Sequence, residues 1–143
     1  MTKTTIPVWI AAGLFAAALT SAAVGAQATK SVNDGVFTAE QAMKGEAVYK
    51  EQCAACHGDS LEGSGPMPPL AGKDFLSNWQ GKMVGDLFEK TQTSMPATAP
   101  GTLTPEQTAQ VVSYMLAQSK YPAGATALAD KMDDLKISID APK

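Results

Sequence analysis

The residues best suited to chemistry lie together in one short segment, EQCAACHG, at residues 51–58. It contains both cysteines and the only histidine of the 143-residue chain. Such a segment is compatible with a zinc site, a redox-active dithiol, a structural disulfide or covalent attachment of haem. Cys-x-x-Cys-His is the known signature of the last of these.

The surrounding sequence weighs against the first three possibilities. A structural zinc site needs four protein ligands, and the chain has no second Cys/His pair. A thioredoxin-like dithiol lies between a strand and a helix, whereas here a helical pattern precedes the motif and a glycine-rich stretch follows it. A disulfide across two intervening residues would close a tight, strained loop. A chance core histidine would explain neither the cysteines nor their spacing.

Haem attachment explains the spacing directly. Two thiols that add to the two haem vinyl groups must reach the same edge of the macrocycle. Ala54 and Ala55 allow one helical turn to present Cys53 and Cys56 together. His57 follows at once, in position to coordinate the iron from the proximal side.

The second axial ligand decides what the iron does, because two protein ligands leave electron transfer and an open face permits oxygen or peroxide chemistry. With one histidine in the chain, a strong distal ligand has to be methionine or, less favoured, lysine. We predict Met95, since Pro96 favours an extended backbone before it and the chain between His57 and Met95 is long enough to pass round a porphyrin. The less favoured methionines are Met43, Met67, Met83 and Met115.

Several helices are expected to position these residues. Thr38 and Gln41 predict a capping box at the start of a helix over residues 39–52, with Ala42, Gly45, Tyr49 and Cys53 on one face. Gly45 on that face predicts a second helix crossing at close range; the alternative is a chance glycine on the surface. Thr104, Pro105 and Gln107 mark the start of another helix, which Pro122 and Gly124 end.

The intervening segments are less regular. Residues 58–81 contain glycine and proline without helical periodicity and are predicted to form a long irregular loop. A short helix is expected over residues 82–92. Residues 125–143 suggest a helical turn and an extended piece lying on the body.

The N-terminus resembles an export signal. Lys3 precedes an apolar run over residues 6–20, and cleavage is expected after Ala26 or Ala28. A retained membrane anchor is the alternative, although the run is shorter than the about 20 residues that a membrane span needs. With 14 acidic residues against 11 basic ones, all lysines, the net charge of −3 disfavours nucleic acid and favours a partner with a basic patch.

Over residues 37–120 the sequence resembles class I c-type cytochromes. The resemblance assigns the thioethers to Cys53 and Cys56 and proximal ligation to His57, and the SMP segment resembles the loop that supplies the distal methionine, here Met95. PPLAG resembles the Pro-x-Leu-x-Gly loop of the family, which implies that Pro68 accepts a hydrogen bond from His57 and that Leu70 lies near the haem.

The resemblance also extends to the helices and to an aromatic residue. Gly45 and Tyr49 are similar to the first of the family's two crossing helices, and Val111 and Tyr114 to the last. Trp79, with Lys82, is implied as a donor to a haem propionate.

The resemblance implies an all-α cytochrome c fold of three to five short helices round one covalently bound haem. Residues 37–122 would form this domain, with residues 123–143 packed on it as an extension. The closing segment is similar to small bacterial cytochromes associated with quinoprotein dehydrogenases.

The implied function is periplasmic one-electron transfer by a monomer without catalytic residues or contact with nucleic acid, and without a membrane attachment once the signal is removed. A dehydrogenase would donate electrons, and an oxidase or another cytochrome would accept them. The alternatives are a haem enzyme or gas-binding protein with an open distal face, and a thiol–disulfide exchange protein.

Overall fold

The computed structural model describes Met1 and residues 30–143. The described part is mostly helical, with two short strands and two 3₁₀ turns beside five α-helices. The helices are α1 (Ala39–Gln52), α2 (Ala54–His57), α3 (Gly72–Trp79), α4 (Val84–Ser94) and α5 (Pro105–Gln118), the strands are β1 (Lys30–Ser31) and β2 (Ile137–Ser138), and the 3₁₀ turns are Val32–Asp34 and Met132–Asp134.

The core is organised by the crossing of α1 and α5. Gly45 lies at the crossing point, where a Cβ atom would overlap the carbonyl oxygen of Gln110 and lie 3.0 Å from Cβ of Tyr114. The rings of Tyr49 and Tyr114 pack beside it with centroids 5.4 Å apart. The close helical partner predicted from Gly45 is therefore confirmed, and it is α5.

The two predicted capping boxes have different outcomes. At α5 both halves form: Gln107 N donates to Thr104 Oγ1 over 3.1 Å, and Thr104 N donates to Gln107 Oε1 over 2.9 Å. At α1 the Thr38 hydroxyl accepts from Gln41 N, but the Gln41 side chain turns away. Its amide instead bonds the backbone of Leu128, donating to the carbonyl over 2.9 Å and accepting from the N–H over 2.7 Å.

Part of the segment predicted as an irregular loop is helical. The prediction for residues 58–81 was wrong over α3, whose apolar side chains Phe75, Leu76 and Trp79 occupy one face of two helical turns. Phe75 is fully buried and its ring lies 6.3 Å from that of Trp79. Burial of this face overrides the weak local signal of a short segment flanked by glycine.

The C-terminal segment is packed into the same core. Leu128, Leu135, Ile137 and Ile139 are buried among the core side chains. β2 pairs in parallel with β1, with Lys30 opposite Ile137 and Ser31 opposite Ser138. The two ends of the described segment therefore lie side by side.

No helix among residues 30–143 is long and apolar enough to cross a membrane. The predicted export signal, residues 1–26, lies outside the described residues apart from Met1.

We expect Gly45→Ala to destabilise the protein by about 1–3 kcal/mol, because overfilling a packed contact has costs of that order. Since alanine favours an isolated helix over glycine by about 1 kcal/mol, helix propensity alone predicts the opposite sign. Denaturant unfolding followed by circular dichroism measures the difference. Met43→Ala, at an exposed position of the same helix, is the control and should change stability little.

Candidate haem site

The CAACH segment forms one compact turn at the end of α1. Cys53 caps α1, its N–H donating to the carbonyl of Tyr49 over 2.8 Å. The chain then turns directly into α2, where His57 N donates to the carbonyl of Cys53 over 3.0 Å. Cys53 is buried, Cys56 is exposed, and no disulfide joins them. One helical turn thus carries both sulfurs, as the spacing predicts.

A buried tyrosine stiffens this turn. The Tyr49 hydroxyl donates to the carbonyl of Gly58, just past α2, over 2.5 Å. Burial raises the pKa of Tyr49 to about 12, so the phenol stays protonated and remains a donor at ordinary pH. Burial, with a smaller effect of the neighbouring Cys56, raises the pKa of Cys53 to about 11.

The His57 ring is fixed by one hydrogen bond. Its Nδ1 lies 2.8 Å from the carbonyl oxygen of Pro68, and a carbonyl only accepts, so Nδ1 carries the proton. This selects the tautomer in which Nε2 has a free lone pair, and it raises the basicity of Nε2 toward a metal. The side chain is 6% exposed.

Gly63 allows the Pro68 carbonyl to approach. Its φ is +78°, and a Cβ atom there would lie 2.6 Å from the Met67 carbonyl oxygen and 2.8 Å from Pro69 N. Any larger residue at position 63 would push the backbone of residues 67–69 away from His57. Gly63 was not predicted from the sequence. Its position six residues after His57 carries no recognisable local signal, because the contact is made across the loop.

Two adjoining cavities open beside His57. One, of about 250 Å³, extends toward Trp79, Lys82 and Lys90; the other, of about 260 Å³, extends toward Cys53 and Cys56. Both are lined by His57, Leu70 and Met95. The structure thus brings the predicted residues Cys53, Cys56, His57, Pro68, Leu70, Trp79 and Met95 to one site.

Met95 follows α4 directly and caps it, with its N–H donating to the Thr91 carbonyl over 3.1 Å. Its backbone is extended, with φ −121° and ψ 153°, as predicted from the following proline. Of the methionines in the described part of the chain, Met95 is the one that lines both cavities. Met67 lines the second cavity and is 38% exposed, while Met115 lines the first and is 2% exposed.

The first cavity has a polar end, and only some of its residues were predicted from the sequence. Lys82 Nζ lies 4.9 Å from the centroid of the Trp79 ring, and Asn78, Lys90 and Thr91 line the same cavity. Lys90 and Thr91 were missed. The spacing of four between Leu87, Thr91 and Met95, which puts these residues on one face of a helix, could have indicated Thr91.

This residue set fits a haem of the c type. It offers two thiols on one turn, an imidazole with a free Nε2, a thioether, apolar walls and a cationic end suited to carboxylates. Among residues 30–143, no three His, Cys, Asp or Glu side chains gather into a group suited to a bare metal ion.

Residues 40–115 match the family model described as cytochrome c oxidase, cbb3-type, subunit III. The chain is a small c-type cytochrome and belongs to this family. The resemblance to c-type cytochromes is thereby confirmed, and the family implies haem c as cofactor and electron transfer as the type of function.

Two relatives extend this comparison. The chain is 37% identical over 79 residues, half of its length and a quarter of the other's, to a thiosulfate dehydrogenase of Stutzerimonas stutzeri (strain A1501). It is similar in fold to a chain of the sulfane dehydrogenase SoxCD from Paracoccus pantotrophus, with a TM-score of 0.54, 22% identity, and coverage of 78% of this chain and 60% of that one. The chain therefore spans less than two thirds of the length of either relative. The similarity in fold confirms the cytochrome c fold predicted from the sequence.

We expect Gly63→Ala to destabilise the protein more than Gly65→Ala, by about 1–3 kcal/mol, the usual size of an overpacking cost. Both glycines have a positive φ, but a Cβ at Gly65 meets no atom within 4 Å. The comparison therefore separates backbone strain from the contact with the Pro68 segment. Denaturant unfolding of both variants measures it, and equal losses would refute the supporting role of Gly63.

Proposed function

We propose that this cytochrome is a periplasmic one-electron carrier with a single haem c. Cys53 and Cys56 attach the haem, and His57 and Met95 are its axial ligands. The observation that carries the proposal is the buried His57 ring, which bonds Pro68 through Nδ1 and lines the same two cavities as Met95. When bound, haem c supplies a one-electron couple, and methionine ligation favours its reduced form.

The protein side chains orient the iron ligand, exclude water and bind the haem carboxylates. His57, held by Pro68, presents Nε2 in a fixed orientation. Leu70, Leu87 and Met115 supply apolar walls that exclude water and disfavour the additional positive charge of the oxidised state. Trp79, Lys82 and Lys90, which line the first cavity, would bind the two haem carboxylates.

The proposed carrier has no catalytic residues because of its ligand set. With a protein ligand on each side of the iron, no position is left for substrate. A haem enzyme or gas-binding protein would need an open distal face. The carrier is favoured because Met95 lines both of the cavities that His57 lines.

The cysteine side of the site is proposed as the docking face. Cys56, Ala97 and Thr98 are exposed around the second cavity, and the charged residue in its lining is Glu51. The lysines Lys82 and Lys90 line the other cavity. A redox partner with a basic surface is therefore favoured here, through a small and transient interface.

We propose a periplasmic dehydrogenase as electron donor and an oxidase or another cytochrome as acceptor, with the chain acting as a monomer. The similarity to a thiosulfate dehydrogenase and to a sulfane dehydrogenase supports a donor that oxidises inorganic sulfur compounds. A quinoprotein dehydrogenase is the other donor class, which the closing segment of the sequence supports.

The distal ligand is tested by Met95→Ala. We expect the oxidised variant to lose the weak near-infrared sulfur-to-iron absorption band and to bind cyanide faster, because an axial position becomes open. Met67→Ala, which changes an exposed methionine of the second cavity, is the matched control and should retain the band. Loss of the band in Met67→Ala alone would overturn the assignment, and rapid cyanide or carbon monoxide binding by the unsubstituted protein would favour the open-face alternative.

Export is tested by expression with a haem-maturation system and fractionation of the cells. We expect a haem-staining protein in the periplasm whose first residue is Gln27 or Thr29, as cleavage after Ala26 or Ala28 requires. Mass spectrometry of the purified protein identifies the terminus. An intact N-terminus in the membrane fraction would instead support the retained anchor.

A further inference from the structure

The turn between α3 and α4, Gln80–Met83, is an exposed segment that carries part of the site. Trp79 precedes it and Lys82 lies within it, and both line the first cavity. All four residues of the turn are exposed, and Gly81 has a φ of +83°. Within the turn, Lys82 N donates to the Trp79 carbonyl over 3.0 Å and Met83 N donates to Asp86 Oδ2 over 3.0 Å. Because the turn is exposed and contains a glycine, these local bonds leave room for contacts from elsewhere to fix the position of Lys82.

Those contacts come from the far end of the chain. Gly81 N donates to the Ile139 carbonyl over 2.8 Å, and Ile139 N donates to the Lys82 carbonyl over 2.9 Å. Just beyond the turn, Gly85 N donates to the Leu135 carbonyl over 3.1 Å. The backbone on both sides of the Lys82 side chain is thus bonded to one C-terminal segment.

That segment is itself firmly held. Leu135 and Ile139 are at most 1% exposed, and β2 between them pairs with β1. Asn33 Nδ2 donates to the Ala141 carbonyl over 2.9 Å, and the Tyr121 hydroxyl donates to the carbonyl of Asp140. The buried C-terminal segment, which is held by several hydrogen bonds, therefore supports the exposed Gln80–Met83 turn. It does more than lie on the domain as an extension.

We propose that residues 135–141, the C-terminal clamp, are positioning residues for the cofactor: they hold the Gln80–Met83 turn so that Trp79 and Lys82 face the haem carboxylates. The clamp thereby maintains a positive charge close to the redox centre. This inference rests on the proposed function, because it concerns the environment of the haem.

The clamp has a measurable electrostatic consequence. A lysine ammonium near the haem disfavours the more positive oxidised state, and the interaction weakens as the charge moves into water. Releasing the turn should therefore lower the reduction potential. We expect the ratio of reduced to oxidised protein at a fixed ambient potential to fall about three- to tenfold, where tenfold corresponds to about 59 mV for a one-electron couple.

The test uses the haem-loaded full-length protein and compares Ile139→Pro with Ile139→Ala. Proline removes the N–H that donates to Lys82, whereas alanine keeps it and removes more of the buried side chain. Spectroelectrochemical titration should show a lowered potential in Ile139→Pro and a potential close to that of the unsubstituted protein in Ile139→Ala. Equal shifts in both variants would mean that the clamp acts only through packing, and the proposal would fail.

A double variant shows whether the effect passes through Lys82. Lys82→Gln alone should lower the potential, and adding Ile139→Pro should lower it little further. Additive shifts would overturn the proposal. If denaturing gels showed no covalently bound haem, the proposed function would be contradicted. If haem were bound but the reduction potential did not change when the clamp was altered, this inference alone would be contradicted.

Two measurements cover the case in which Ile139→Pro does not fold. A chain ended after Ser138 removes both hydrogen bonds to the turn and should show the same lowered potential. In the unsubstituted protein, the amides of Gly81 and Ile139 should exchange with deuterium slowly and at similar rates, because each donates a hydrogen bond that joins the clamp to the turn. Exchange of these amides as fast as in an open loop would refute the clamp without any variant.

Discussion

The contact on which the rest of the structure depends is the approach of α1 to α5 at Gly45. The missing side chain allows the two backbones to meet, and the pair of tyrosine rings beside it fills the crossing. Cys53 follows α1 directly, so the direction of α1 determines where the CAACH turn lies and which way its sulfurs face. The site is therefore assembled at the end of a rigid helix rather than on an independent loop, an arrangement that gives functional groups a defined geometry.

The parts of the site that are close in sequence could be predicted from the sequence. The cysteines and His57 lie on one turn, the hydroxyl and amide that cap α5 are three residues apart, and Met95 is extended because a proline follows it. Each of these features depends on backbone rules that operate over a few residues. The family resemblance added the bond between His57 and the Pro68 carbonyl, which the structure contains.

The features that could not be predicted depend on contacts between distant segments. α3 is too short to form without burial of Phe75. Gln41 has the sequence of a capping residue, but two backbone groups of Leu128 compete successfully for its amide. Gly63 is needed because of what lies across the loop, and Lys90 reaches the cavity because of how α4 is placed. In each case the deciding partner is a segment that local sequence does not identify.

The pairing of β1 with β2 has a consequence for the order in which the chain assembles. It joins residues near positions 30 and 137, so it encloses almost the whole described segment in one loop, and closing a long loop costs more conformational entropy than closing a short one. The Tyr49–Gly58 hydrogen bond spans nine residues and closes a much shorter loop, at a smaller cost. During folding, the turn that presents the two thiols can therefore form early. At that stage the region around it is still accessible to the machinery that delivers the haem.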